Sequence, residues 1–249
     1  MYVKKSNFSK PPLTEALLDI KVNLASNFDV NALEFFQKSI EKYFPIKQIN
    51  TKWETKLQIK PGESLKFDAK DSRNGFIFKT ANNEKLVQAR MDGFTFNRLT
   101  DYESWDSFKS ESRKLWEIYL KVAKPISIKR LAVRYINTIQ IPRPAGDLNE
   151  YFSTVPEISR NLPQMMTEFF MRVVIPEPNS PNATIVIETV DVARLSEEIL
   201  PIIFDIDTFR IVDLKGEDKT IWEIFESLRR FRSEVFWKSL TKKTIALFK

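Results

Sequence analysis

Residues 129 to 142 read KRLAVRYINTIQIP. Successive side chains of a strand point to opposite sides, so as a strand residues 126 to 140 split into two faces. One face holds Leu131, Val133, Tyr135, Asn137 and Ile139, and the other holds Ile128, Arg130, Ala132, Arg134 and Ile136. Apolar residues stand on both, so both faces are expected to be covered. Arg130 and Arg134 share a face, about 13 Å apart at about 3.3 Å per residue. A covered guanidinium without a partner is strongly unfavourable, so the fold must bring carboxylates to these arginines. The stretch FDIDTF offers Asp205 and Asp207 on one face of a later strand. Two readings follow. The arginines brace the sheet against those carboxylates, or they line a concave site and hold a phosphate or carboxylate in a bidentate fork. Either way, Arg130, Arg134, Tyr135, Asn137, Asp205 and Asp207 form the expected central polar cluster. Arg98 joins them as a candidate because it ends a strand just before a capped helix.

The rest of the chain alternates between the two periodicities. LTEALLDIKVNLA (13–25) reads as a first strand. In DVNALEFFQKSIEKYF, Leu33, Phe36, Ile40 and Phe44 recur at helical spacing, opened by Asp29 and ended by Pro45. WETKLQI, SLKFDAK, GFIFKT and KLVQARMDGFTFNRL follow as short alternating runs, with SRNG and ANNE expected as turns of an antiparallel sheet. LTDYESWDSFKSESRKLWEIYLKVA reads as a helix with Thr100 and Glu103 at capping-box spacing. Its buried stripe is Trp105, Phe108, Leu115, Tyr119 and Val122. After the strand at 126–140 comes a short helix in RPAGDLNEYF. MMTEFFMRVVI, NATIVIETV and IIFDIDTFRIV read as strands. DKTIWEIFESLRRFRSEVFWKSL closes the chain as a long helix with Trp222, Phe225, Leu228, Phe231 and Val235 inward.

This order reads strand, helix, strands, helix twice, over residues 13–122 and 125–248. The expected fold is α+β: a curved antiparallel sheet with packed helices. A tandem duplication of one unit in the manner of helix-grip or TATA-binding-protein folds would give that order.

Composition removes many chemistries. The 249 residues contain no Cys and no His. That excludes a Cys nucleophile, a Ser-His triad, a thiolate zinc site and an imidazole base. Five Gly argue against glycine-rich phosphate loops, and LKGEDKT lacks the glycine and lysine order of a Walker motif. No run of apolar residues is long enough for a membrane span, and MYVKKSNFSKPPLTE has no apolar signal core, so a cytoplasmic protein is expected. The formal net charge of +6 permits an acidic partner without demanding one.

Two further constellations remain. Asp205 and Asp207, with Glu188 on the neighbouring strand, have the spacing of a Mg2+ site, which would suit a phosphotransferase or nuclease. Arg229, Arg230, Arg232, Lys238, Lys242 and Lys243 interleave with Phe231, Phe236 and Trp237, a pattern that can bind phosphates and stack bases. Glu223, Glu226 and Glu234 share that helix and can pair many of those charges. Lys56, Lys60, Lys66 and Lys70 could form a basic sheet face, diluted by alternating acids.

PPLTEALLDIKV, FNRLTDYESWDSF, KRLAVRYIN, IIFDIDTF and FWKSLT occur in that order. Together they resemble a sporadically distributed prokaryotic family of about this length with no assigned biochemical activity. The resemblance spans nearly the whole chain. It implies one full-length module over 1–249 and implies no reaction, cofactor or catalytic residue. A scattered distribution goes with accessory or mobile genes, phage defence among them. Members often carry a His in the final helix, where this chain has none. The expectation is a non-enzymatic binding module without a cofactor, engaging another protein or a second copy. Nucleic-acid binding and Mg2+-dependent phosphoryl transfer are the alternatives.

Overall fold

The structure is a computed structural model. It describes residues 8–58, 66–99, 102–164, 166–215 and 218–249, and the side chains of these other than 52–58 and 66–72. The strands are β1 (Leu13–Asn23), β2 (Ile46–Gln58), β3 (Lys66–Lys79), β4 (Lys85–Arg90), β5 (Gly93–Arg98), β6 (Ser127–Pro142), β7 (Phe170–Pro176), β8 (Asn182–Val190) and β9 (Ile199–Lys215). The α-helices are α1 (Glu34–Ile40), α2 (Trp105–Ala123), α3 (Ile221–Ser239) and α4 (Lys242–Ala246). The fold is α+β, with nine strands in one antiparallel sheet in the order β2-β3-β4-β5-β1-β6-β9-β8-β7. No helix among the described residues is long and apolar enough to cross a membrane.

The chain divides into two compact units. One comprises Leu18–Arg130 and Val212–Asp218, and the other Met1–Leu17, Leu131–Ile211 and Lys219–Lys249.

In the unit of Leu18–Arg130, α2 exists because Trp105, Phe108, Ser112, Leu115, Trp116, Tyr119 and Ala123 fall on one buried side. Phe96 stacks on Phe108 at 5.4 Å, and Phe94 meets Trp116 and Tyr119 edge-on or tilted. Val122 is only half-buried. The helix is capped by Ser104, whose hydroxyl accepts from the Ser107 amide at 3.2 Å. The expected capping-box residue Thr100 lies outside the described residues. Lys124 ends the helix in the left-handed conformation.

SRNG is not a turn. It lies inside β3, where Asn50 pairs with Gly75 and Thr51 with Arg73, so Asn74 is the extra residue of a β-bulge. Gly75 has φ +146°, and a Cβ there would stand 2.1 Å from the Ala89 carbonyl oxygen. Polar residues at a bulge have the composition of a turn, which is why the sequence pattern misleads here. ANNE does form a turn, with Asn83 at φ 56°. The side chains of Lys56, Lys66 and Lys70, and Lys60 altogether, lie outside the described residues.

In the other unit, β8 alternates strictly, burying Asn182, Thr184, Val186, Glu188 and Val190. With Ile139, Ile141, Ile202, Phe204 and Ile206 these residues face α3, which buries Phe231, Val235 and Phe236. Trp222 is half-buried. Met166 to Phe169 precede β7 without joining it, so the strand is shorter than MMTEFFMRVVI.

Replacing Gly75 by Ala forces a Cβ onto the Ala89 backbone at a φ that L-residues avoid. Gly75→Ala is expected to lower stability by at least about 2 kcal/mol in urea denaturation.

Candidate functional site

Strand β6 buries one face and leaves the other partly open. Leu131, Val133, Tyr135, Asn137, Ile139 and Ile141 are buried, whereas Arg130, Arg134, Ile136 and Thr138 are half-buried and Gln140 is exposed. The expectation of two covered faces holds for Ile128 and Ala132 but not for the rest of the second face.

Arg134 meets Asp205 as a bidentate pair. Its Nε donates to Oδ1 at 2.9 Å and its Nη2 to Oδ2 at 2.5 Å. Donating to Asp205 raises the Arg134 pKa against the opposing effect of burial, with the charges of Asp205, Asp207 and Glu15 adding to the rise. Asp205 is buried, while the Arg134 side chain remains 38% exposed. Such an arginine has spent its fork on its own sheet.

The remaining predicted residues separate. Tyr135 lies on the covered face, under the guanidinium of Arg232 from α3 at 3.7 Å from the ring centroid. Asn137 is buried and donates from Nδ2 to the Phe204 carbonyl at 3.0 Å. Both are cross-links inside the core and not lining of a groove. Asp207 faces Ile185 of β8, two pairs along the ladder from the Ile187–Asp205 pair. Glu188 faces Phe204, so its carboxyl is on the opposite side of the sheet from Asp205 and Asp207. The three carboxylates therefore do not form one Mg2+ site. No cluster of three metal-ligating side chains occurs among the described residues.

Arg98 also turns away from the expected cluster. It shares the helix-packed face of β5 with Phe96, opposite Lys85 in the ladder. Glu111 of α2 answers both cations, at 2.8 Å from Lys85 and 4.0 Å from Arg98.

Arg130 lies 3.6 Å from Asp19, in a network that sequence patterning did not single out. At its centre is Arg90, buried near the end of β4. Its Nη2 donates to Asp19 Oδ1 at 2.7 Å, its Nη1 to Thr95 Oγ1 at 2.5 Å and its Nε to Asp92 Oδ1 at 3.0 Å. The Thr95 hydroxyl in turn donates to Asp19 Oδ1 at 2.7 Å. Lys21 and Asn74 hold Asp92 from the other side. Burial works against the Asp92 charge, but the Lys21 hydrogen bond and the nearby cations outweigh it and hold the group at about 2. Burial likewise opposes the Arg90 charge, and Asp19 and Asp92 more than compensate. The signal for this network was present: Asp19 interrupts the apolar run ALLDIKV, and Arg90 precedes a two-residue hairpin turn that contains Asp92.

The basic set of the last helices is largely spent. Arg232 stacks on Tyr135, Lys238 pairs with Glu234 at 2.5 Å, Lys243 pairs with Glu150, and Arg230 lies 3.8 Å from Glu177. Arg229 is half-buried and Lys242 exposed.

Two features stand apart from these braces. Glu188 is 2% exposed, and its Oε2 has no hydrogen-bond partner. Burial pushes its carboxyl from an ordinary 4.5 up to about 8. The second is β7, the last strand of the sheet, whose residues are nearly all exposed on both faces: Phe170 at 68%, Val174 at 49% and Ile175 at 38%. No protein-family model matches the chain, and no curated protein sequence matches it.

Arg90→Ala would orphan a buried carboxylate and is expected to cost about 3–5 kcal/mol in chemical denaturation. Arg134→Ala removes a more exposed partner and is expected to cost less, about 1–3 kcal/mol. Glu188 gives a pH signature. Its folded pKa lies above its unfolded one, so the unfolded state loses the proton first and stability falls as pH rises from about 4.5 to about 8. Glu188→Gln should flatten that slope and raise stability at pH 7 by on the order of 3 kcal/mol. Thermal melts of both proteins across this pH window check it.

Proposed function

We propose that this chain is a non-enzymatic binding module that engages another protein. The observation that carries the reading is β7: an apolar strand, FMRVVIP, at the sheet edge with both faces exposed. An edge strand presents a row of unspent backbone donors and acceptors, and proteins ordinarily protect such edges with charge, bulges or covering segments. Here a single charged residue, Arg172, interrupts the apolar run. Edges of this kind accept a further strand, with main-chain hydrogen bonds giving affinity and alternate side chains giving specificity. The sheet-borne arginines and carboxylates support the same reading, because they satisfy one another and are not poised for a substrate.

The proposed architecture behind the module is a tandem duplication of residues 13–122 and 125–248. The strand order supports it: the first strand of each half lies beside the last strand of that half, β1 beside β5 and β6 beside β9. A curved, gripping sheet of the helix-grip or TATA-binding-protein kind is part of this proposal. With the prokaryotic family resemblance, it makes the chain a cytoplasmic accessory component, of the sort found in phage defence.

The test is a photocross-linker at the edge. Val174→p-benzoylphenylalanine, expressed in cells, should give polypeptide adducts. The same residue at exposed Ile126 should give far fewer. Adducts with nucleic acid alone, or equal yields at both positions, would contradict the reading.

A further inference from the structure

We infer that the strand taken up by β7 is β7 of a second copy of this chain, antiparallel across a two-fold axis at Val173. This rests on the protein-binding reading and names its partner.

Backbone parity sets which groups are free. The Glu177 amide donates to the Asn182 carbonyl at 2.9 Å, one pair beyond Pro176 and Ala183. Antiparallel pairs alternate between exchanging hydrogen bonds and exchanging none. Ile175, Val173 and Met171 therefore turn their backbone polar groups to β8. Phe170, Arg172, Val174 and Pro176 turn theirs outward. Pro176, which has no amide hydrogen, occupies an outward position where β8 asks for none.

Outward positions at even numbers permit a two-fold axis through Val173. Arg172 of each copy then faces Val174 of the other and exchanges both backbone hydrogen bonds with it. The Phe170 amide meets the Pro176 carbonyl of the second copy. On the alternate positions Met171 faces Ile175, and Val173 faces its own counterpart. Every apolar side chain gains an apolar or aliphatic neighbour, which is the stabilising unit of a sheet. An axis through Arg172 would set two guanidiniums directly opposite, which is unfavourable. An axis through Val174 would leave Phe170 beyond the paired strand and lose its bond.

The Val173 register also sets the two Arg172 guanidiniums diagonally across the joint and not directly opposite. A two-fold interface of this kind is closed, so it stops at the dimer.

Sedimentation velocity of the full chain across a dilution series tests the inference. The wild type should show a concentration-dependent monomer–dimer equilibrium. Val174→Pro deletes an outward amide that the monomer does not use. It should be monomeric throughout with unchanged circular dichroism and Tm at low concentration. A wild type that is monomeric at every concentration, or a folded Val174→Pro that dimerises as the wild type does, overturns the self-pairing. A wild-type monomer that still gives polypeptide adducts from position 174 overturns only the self-pairing. One that gives no adducts overturns the wider reading as well.

Discussion

A guanidinium inside a sheet must be answered by a carboxylate, and this requirement organises the charged residues here. Arg90 shows it most fully. It joins β4 to β1 through Asp19, to β5 through Thr95 and to its own hairpin turn through Asp92. The Tyr119 hydroxyl donates to the Arg90 carbonyl at 2.7 Å, so α2 is anchored to the same residue. Four segments thus meet at one residue, three through its side chain and α2 through its carbonyl. Its removal leaves acids in a place where neither water nor another cation can fully solvate them. Networks of this kind specify a register, because a strand shifted by one residue would turn the arginine to the other face.

The same rule in the other unit produces the Arg134–Asp205 fork, while Arg232 of α3 lies over the ring of Tyr135. Glu188 is an exception: it sits among Val186, Phe204 and Val190, where burial favours its protonated form. The exception lies beside the exposed strand: Glu188 pairs in register with Met171 of β7. Arg90, Arg134, Asp19, Asp92 and Asp205 thus meet partners within the protein, and burial favours the neutral form of Glu188. The β7 edge keeps its outward backbone hydrogen-bonding groups.

Much of this was readable in the sequence. The 3.6-residue period of Trp105 to Tyr119 and of Phe225 to Val235 gave α2 and α3, and two-residue alternation gave β8 and β9. The demand that Arg134 find an acid pointed to Asp205. What escaped was set by register and by parity between strands. Nothing in the spacing of Glu188 and Asp205 says which positions of β8 and β9 will be directly opposite, and that single fact divides them between two faces. Tyr135 and Arg134 are adjacent in sequence and so on opposite faces, which confines Tyr135 to the core. SRNG was misread because a bulge and a turn draw on the same residues. Asp19 was hidden by its apolar neighbours, although a carboxylate in such a run is as demanding of a partner as an arginine.

The central claim is that the sheet charges are internal braces and that the outward edge of β7 is where this chain binds a second copy. Amide hydrogen exchange resolved by residue measures it directly. The account predicts that Phe170, Arg172 and Val174 exchange freely in dilute protein and become protected as concentration rises, while Met171, Val173 and Ile175 are protected throughout by β8. Free exchange of the outward amides at every concentration, with the inward ones unchanged, would contradict it.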